Sequence, residues 1–157
     1  MKNTILILIS LLFVTGISEG KEVSYLQDRN GIKYEINSEI GFTGKYVTYY
    51  ENGQKRFEEN YKNGREDGLY TWWYKNGQKD LEGNWKNGKP EGVFTYWYEN
   101  GQKQTEYNYK DGKLDGLWSN WHKNGQKKYE GNYKNNKELG LWTYWDEEGN
   151  VTETKTY

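Results

Sequence analysis

Residues 69–86 read LYTWWYKNGQKDLEGNWK, and the architecture of the whole chain can be worked out from this stretch. Its first half is rich in Tyr, Thr and Trp, which favour β-strands. Asn76-Gly77 interrupts these strand formers, and Asn-Gly between two such segments is a strong signal for a hairpin turn. Residues 79–86 then predict a return strand. We therefore expect residues 69–86 to form one antiparallel hairpin.

The hairpin signal recurs along the chain at a step of 24 residues. The tetrapeptide Asn-Gly-Gln-Lys stands at residues 52–55, 76–79, 100–103 and 124–127. A second set of glycines keeps the same step, without a slip, at Gly44, Gly68, Gly92, Gly116 and Gly140. A fixed period of this kind is typical of repeat architectures.

The repeat unit is too small to be stable alone. A single hairpin buries little apolar surface, so successive hairpins must stack on one another. We predict an all-β fold, an elongated single-domain stack of antiparallel β-hairpins over residues 44–157, with about five repeats and the last one truncated. Residues 21–43 follow the pattern imperfectly, and an atypical first repeat predicts an N-terminal capping segment.

Two hairpin registers are compatible with the turn. A two-residue loop at 76–77 sets Trp73 opposite Asp80, whereas a three-residue loop at 76–78 sets Trp73 opposite Leu81. Register is selected by the face that apolar residues share, which favours the three-residue loop. The core face predicted from this register carries Leu69, Trp73, Leu81, Trp85, Val93, Trp97, Thr105, Tyr109, Leu117, Trp121, Tyr129 and Tyr133.

The same register leaves a second aromatic stripe on the other face of each first strand. Its rings either pack on one another or form a ladder that binds an extended ligand, such as a glycan or the edge of a partner protein. Tyr and Trp are enriched at interaction hot spots, and exposed apolar patches mark contact sites. The predicted binding surface consists of Tyr70, Trp72, Tyr74, Phe94, Tyr96, Tyr98 and Tyr144.

Residues 1–20 differ in composition from the rest of the chain. Lys2 is followed by an apolar stretch over residues 5–14, and the small residues Gly16 and Ser18 come next. This order is typical of a cleavable secretory signal peptide. A stretch of about ten residues spans only half of a bilayer core, and no cysteine follows it for lipid attachment. We expect a secreted or periplasmic protein that is not a lipoprotein.

Composition argues against several classes of function. Lys and Arg number 22 against 23 Asp and Glu, which lacks the basic excess of a nucleic-acid-binding protein. The chain has no cysteine and one histidine, which removes thiolate zinc sites and cysteine nucleophiles. That histidine, His122, stands in a column of tyrosines, and Ser119 is the only serine near it. We expect no catalytic residue, no cofactor and no metal.

Charged columns also run through the repeats. A glutamate recurs in four repeats, at Glu58, Glu82, Glu106 and Glu130. Active sites are few and asymmetric, so a solvated strand face is the expected interpretation. Lysines line both turn edges and are largely balanced by nearby acidic residues. They favour solubility, and attraction to anionic lipid headgroups is the alternative.

Residues 82–88 (EGNWKNG) and 130–135 (EGNYKN) resemble the glycine-aromatic core of MORN repeats. Together with Asn-Gly-Gln-Lys, they more specifically resemble the bacterial MORN-variant family, whose members are often labelled YwqK-type antitoxins of toxin–antitoxin systems. The resemblance covers essentially all of residues 25–157. It implies an elongated hairpin stack that acts in protein or membrane-lipid contacts and has no catalytic residues to carry over.

These observations together predict a non-enzymatic, exported repeat protein that works as a protein-binding or scaffold module at the cell envelope or outside the cell. An antitoxin role is the alternative that the resemblance implies. Binding of cell-wall glycan or of membrane lipid is a further alternative within the binding class.

Overall fold

The computed structural model describes residues 21–157, so the predicted signal segment lies outside the described residues. Within them, no helix is long and apolar enough to cross a membrane. The strands are β1 (Glu22–Val23), β2 (Gln27–Arg29), β3 (Ile32–Tyr34), β4 (Gly44–Tyr49), β5 (Lys55–Lys62), β6 (Arg65–Trp73), β7 (Lys79–Lys86), β8 (Lys89–Pro90), β9 (Gly92–Trp97), β10 (Lys103–Lys110), β11 (Lys113–Trp121), β12 (Lys127–Lys134), β13 (Lys137–Trp145) and β14 (Val151–Thr156).

Twelve of these strands form one sheet, in which β4 to β14 make a long antiparallel meander. From β4 onward each strand pairs with the next in sequence, and the short β8 extends the pairing of β7. Five hairpins carry the tetrapeptide turns or their last, degenerate copy: β4–β5, β6–β7, β9–β10, β11–β12 and β13–β14. The predicted all-β hairpin stack is confirmed.

Two kinds of turn alternate at the two edges of the sheet. Between hairpins the chain reverses through two residues of positive φ, such as Asn63 (52°) and Gly64 (77°), the geometry of a type I′ turn. At the other edge the loop has three residues, 75–77. There the Tyr74 amide donates to the Gln78 carbonyl at 2.8 Å, and Gly77 takes a φ of 85°.

The hairpin register differs from the predicted one. The loop has three residues but begins at Lys75, and Asp80 is an extra, bulged residue, because Trp73 pairs with Lys79 while Trp72 pairs with Leu81. The prediction that Trp73 faces Leu81 is wrong. The three-residue loop and the bulge at Asp80 offset each other. Beyond the bulge the two strands pair as they would across a two-residue loop at 76–77.

This shift exchanges the two faces of every first strand. Tyr70 and Trp72 now share a face with Leu81 and Trp85, and we call this side the aromatic face. The side chains assigned to the core from the first strands lie on the opposite side, which we call the polar face. They include Leu69, Trp73, Val93, Trp97, Leu117 and Trp121, so their assignment to the same face as Leu81 and Trp85 is wrong.

Residues 21–43 pack against the first hairpin. Strand β1 pairs in parallel with β4, while β2 and β3 form a small separate sheet. Phe42 is buried, and its carbonyl accepts the Gly64 amide at 2.7 Å. In later repeats the equivalent bond joins residues with the same spacing, as from Gly88 to Glu66 at 2.8 Å. At this turn the N-terminal segment occupies the place of a preceding repeat.

The face assignment makes a prediction about two neighbouring residues of β9. Phe94 is 5% exposed on the aromatic face, whereas Val93 is 54% exposed on the polar face. Phe94→Ala should lower the free energy of unfolding by about 3–5 kcal/mol. Val93→Ala should change it by about 0.5 kcal/mol, as is usual at the surface. Urea unfolding followed by tryptophan fluorescence measures both, and a larger loss for Val93→Ala would contradict the assignment.

Candidate functional site

The seven residues of the predicted binding surface fall into two groups. Tyr74 and Tyr98 stand at the hairpin turns, directly after the strands that precede them. The other five, placed by strand register on the aromatic face, are Tyr70, Trp72, Phe94, Tyr96 and Tyr144. The predicted binding surface therefore combines two kinds of position, turn residues and strand residues of the aromatic face.

On the aromatic face the rings cover one another. The Phe94 ring lies parallel to Tyr107 with centroids 6.1 Å apart, and Trp85 meets its edge at 6.3 Å. Gly83 makes room for this ring, because a Cβ there would stand 2.3 Å from Phe94. Of the two alternatives for the aromatic stripe, ring packing describes this geometry, and ligand binding by the parts still exposed stays a prediction.

The tyrosines at the turns join neighbouring repeats. The Tyr74 hydroxyl donates to the Trp97 carbonyl at 2.7 Å, and Tyr98 donates to the Trp121 carbonyl at 2.8 Å. Burial and a hydrogen bond to Asp80 raise the pKa of Tyr74 to about 12, so it stays a donor at neutral pH. Their role in the structure is to bond each hairpin to the next.

His122 continues this column. Its Nε2 lies 3.0 Å from the Trp145 carbonyl, a contact in which the ring nitrogen must donate. The bond has the same spacing in sequence as those of the tyrosines. This contact gives His122 the structural role of the tyrosine that it replaces.

The tetrapeptide turn is also used between repeats. The Asn76 carboxamide accepts the Gln78 amide at 2.9 Å and donates to the Glu99 carbonyl of the next turn at 3.0 Å. The Gln78 side chain lies against Gly101 of that turn, where a Cβ would meet it at 2.8 Å. Three of the four motif residues thus bind one turn to its neighbour.

The fourth motif residue, lysine, belongs to the polar face. Lys79 forms an ion pair with Glu82 and holds its Nζ 5.8 Å from the centroid of the Trp97 ring in the next repeat. The other three repeats form the same contacts, with ion pairs Lys55–Glu58, Lys103–Glu106 and Lys127–Glu130. These lysines are neutralised locally, and the recurrent glutamates are partners in ion pairs on a strand face.

The polar face also carries an exposed aliphatic column. An aliphatic side chain stands at the same position of the first strand in each of the last four hairpins, and in three of them it faces an asparagine. The exposed fractions are 46% for Leu69, 54% for Val93, 49% for Leu117 and 59% for Leu141. The predicted register hides this column, because it turns Leu69, Val93 and Leu117 toward the core.

The aromatic face contains a buried carboxyl group at Glu59, which is 7% exposed. It stands between Tyr46 and Tyr70 on the paired strands, and the Tyr61 hydroxyl donates to it. Burial raises the pKa of Glu59 to about 7, Glu66 adds to the rise, and the bond from Tyr61 opposes it. The sequence period gives one signal for this residue, because the equivalent positions of the next three repeats carry glycine or tyrosine.

A carboxyl group that titrates near neutrality is a common feature of catalytic sites. At Glu59 the surrounding groups are tyrosine rings, a second carboxylate at Glu66 and the ammonium of Lys33. Throughout residues 21–157, no group of three or more His, Asp or Glu side chains is arranged to hold a metal ion.

Glu59 makes the stability of the protein pH-dependent. Its pKa is about 7 in the folded protein and about 4.5 in the unfolded chain, so the folded state favours the protonated carboxyl group. The stability that this gives is fully present below pH 4.5 and is lost as the pH rises through 7. We expect the free energy of unfolding to fall between pH 5 and pH 8 by on the order of 2 kcal/mol. The pKa values of Glu58 and Glu130 are lowered, so these two groups change the free energy of unfolding at a pH below this range.

Glu59→Gln should remove most of this fall and make the variant more stable than the wild type at pH 8. Urea unfolding at pH 5, 6.5 and 8 measures it. Glu51→Gln, at an exposed turn position, is the matched control and should keep the fall. An unchanged pH profile in Glu59→Gln would show that another group is responsible.

Among curated proteins, no sequence matches the chain. One similar solved structure is described as "Crystal structure of GtfA/B complex bound to UDP and GlcNAc", with 14% identity and a TM-score of 0.30. The match covers 85% of this chain and 27% of that chain.

A family profile described as "MORN repeat variant" matches more than half of the chain. It matches four repeats, at residues 42–63, 66–87, 90–111 and 114–135. Each match holds one of the tetrapeptides whose residues join neighbouring turns. The chain is therefore a member of the MORN repeat variant family.

Proposed function

We propose that this chain is a non-enzymatic binding protein that is exported by residues 1–20 and binds a protein partner at the cell envelope or outside the cell. Membership of the MORN repeat variant family supports a binding role. The repeated motif residues are engaged in contacts between repeats, which leaves the two sheet faces as the available surfaces.

One observation carries the choice of a protein partner, the aliphatic column on the polar face. Leu69, Val93, Leu117 and Leu141 are each about half exposed and recur every second strand, at a spacing of about 10 Å. Lys–Glu ion pairs and asparagines flank the column. An apolar centre with a polar rim is the usual anatomy of a protein–protein interface.

The other binding alternatives have less support. The four lysines of the tetrapeptides are paired with glutamates, so they offer little free positive charge to an anionic membrane. The aromatic rings of Tyr70, Trp72 and Tyr96 contact other rings and are only partly available to stack on a glycan.

Two substitutions test the aliphatic column. Val93→Lys with Leu117→Lys should leave the free energy of unfolding within about 1 kcal/mol of the wild type, because both side chains are exposed. The same variant should lose the protein that the wild type recovers in a pull-down from the envelope fraction. Glu147→Gln with Glu148→Gln changes the net charge equally at an exposed turn, and should keep that protein.

Loss of the partner in the control variant as well would show that charge, and not the column, governs binding. Recovery of no defined partner by the wild type, together with turnover of a substrate, would overturn the proposal.

Location distinguishes the proposal from an antitoxin role. Export predicts the shortened, processed chain in the periplasm or the culture medium after cell fractionation. Retention in the cytoplasm, together with rescue of growth when a neighbouring toxin is expressed, would instead support the antitoxin alternative that the family resemblance implies.

A further inference from the structure

A hollow lies on the aromatic face at β12, the strand between β11 and β13, where β12 carries a glycine. Gly131 of β12 faces Trp118 of β11 and lies against Trp142 of β13. A Cβ at position 131 would stand 2.1–2.4 Å from atoms of the Trp142 ring, so only glycine permits this ring to rest on the strand. Tyr129 and Tyr133 stand on either side of the glycine, two residues away along the same strand.

Trp142 is only 3% exposed and forms the floor of the hollow, while the half-buried Trp118, Tyr129 and Tyr133 reach its surface. The four rings are neighbours on the sheet. Their centroids are separated by 5.3 Å from Trp118 to Tyr133, 5.4 Å from Tyr133 to Trp142, and 6.2 Å from Trp142 to Tyr129. The hollow is open to solvent and has a volume of about 260 Å³. The indole N–H groups of Trp118 and Trp142 are buried under neighbouring atoms, so a ligand at the surface meets carbon atoms and π-electrons, chiefly those of Trp118, rather than a donor.

The charged group at the mouth of the hollow is a carboxylate, Glu138. Tyr144 completes the lining and already holds a cation, because the Nζ of Lys155 lies 5.3 Å from its ring centroid. Lys155 is itself paired with Glu153 at 3.2 Å. These three charges sum to −1, so the mouth attracts a cation.

We propose that this hollow binds a quaternary ammonium group, of the kind carried by choline. Electron-rich ring faces attract cations within about 6 Å of the ring centroid, and a nearby carboxylate strengthens the attraction. Quaternary ammonium has no N–H donors to satisfy, so a site walled by rings suits it better than a primary amine. This site lies on the opposite face from the aliphatic column and does not depend on the proposed protein partner.

The second repeat provides an internal comparison. Gly83 is framed in the same way by Tyr70, Trp85 and Phe94, but Leu81 stands at the position of Tyr129. Pro90 stands there in place of Glu138. This glycine site therefore has one ring fewer and no carboxylate, and the ammonium site is specific to the fourth repeat and its neighbour.

The experiment compares choline with its neutral isostere, 3,3-dimethylbutan-1-ol, in which carbon replaces nitrogen. Each is titrated into the purified protein at constant ionic strength, while the indole N–H signals of Trp118 and Trp142 are followed by NMR. We expect choline to bind with a dissociation constant on the order of 1 mM, and the isostere to bind at least fivefold more weakly. Equal binding of the two compounds, or binding of neither, would overturn the proposal.

Two variants locate the site. Glu138→Gln keeps the size of the side chain and should weaken choline binding about threefold to fivefold, whereas Glu147→Gln at the exposed turn should have no effect. Tyr129→Leu copies the second repeat, so the fold should persist, and choline binding should weaken at least fivefold. Unchanged binding in both Glu138→Gln and Tyr129→Leu would place the ligand elsewhere and refute the assignment.

A further experiment distinguishes a lipid headgroup from free choline as the source of the ammonium group. Cosedimentation with phosphatidylcholine vesicles that free choline competes away would identify the lipid headgroup as accessible to the site. Binding of free choline without cosedimentation would restrict the site to soluble or polymer-linked choline. Stronger binding of N-acetylglucosamine than of choline would show that the hollow is a glycan site, contrary to the proposal.

Discussion

Residues 44–157 form one layer of β-sheet, and a single layer gives its side chains no opposing layer to pack against. The rest of the structure depends on the lateral contact between rings on neighbouring strands. Large aromatic side chains suit this role because each can bury roughly 150–250 Å². Glycines at 83 and 131 serve the same end, since they let Phe94 and Trp142 lie down on the strand between their neighbours.

The repeated residues and the variable residues have different tasks in this arrangement. The Asn, Gln and Lys side chains of the tetrapeptide join each hairpin to the next in the same way in four units. A tyrosine, or His122 in the fourth unit, adds a bond at each of these turns. Individual chemistry arises where a unit departs from the pattern, as at Glu59. In a repeat protein of this kind, the departures from the consensus are the positions at which to look for function.

Much of the fold follows from the sequence alone. The 24-residue step and the Asn-Gly turns predict the hairpins and their order, because turn chemistry is local and the same tetrapeptide recurs four times. The register does not follow, because the bulge at Asp80 has no clear sequence signal and β6 carries rings on both faces. With Trp72 and Trp73 adjacent, either register places a ring opposite Leu81, and shared hydrophobicity cannot select between them.

Predicting which residues share a surface requires the correct strand register. Tyr70 and Trp72 share one face, as the alternation along the strand predicts, but the predicted register places Leu81 and Trp85, which lie on that face, on the other side. The exposure of Leu69 and Val93 depends on the same one-residue shift. The burial of Glu59 depends on neighbours more than ten residues away in sequence, Tyr46 and Tyr70, which no local pattern reveals.

The meander also determines how the molecule would respond to mechanical load. The strands lie across the long axis of the sheet, so the hydrogen bonds between them run along that axis. Tension applied between β1 and β14 would act on the hydrogen bonds of successive strand pairs in series, so the strand pairs would separate one at a time. Such a sheet would extend under low force in increments of one hairpin, which suits an elastic tether better than a rigid strut.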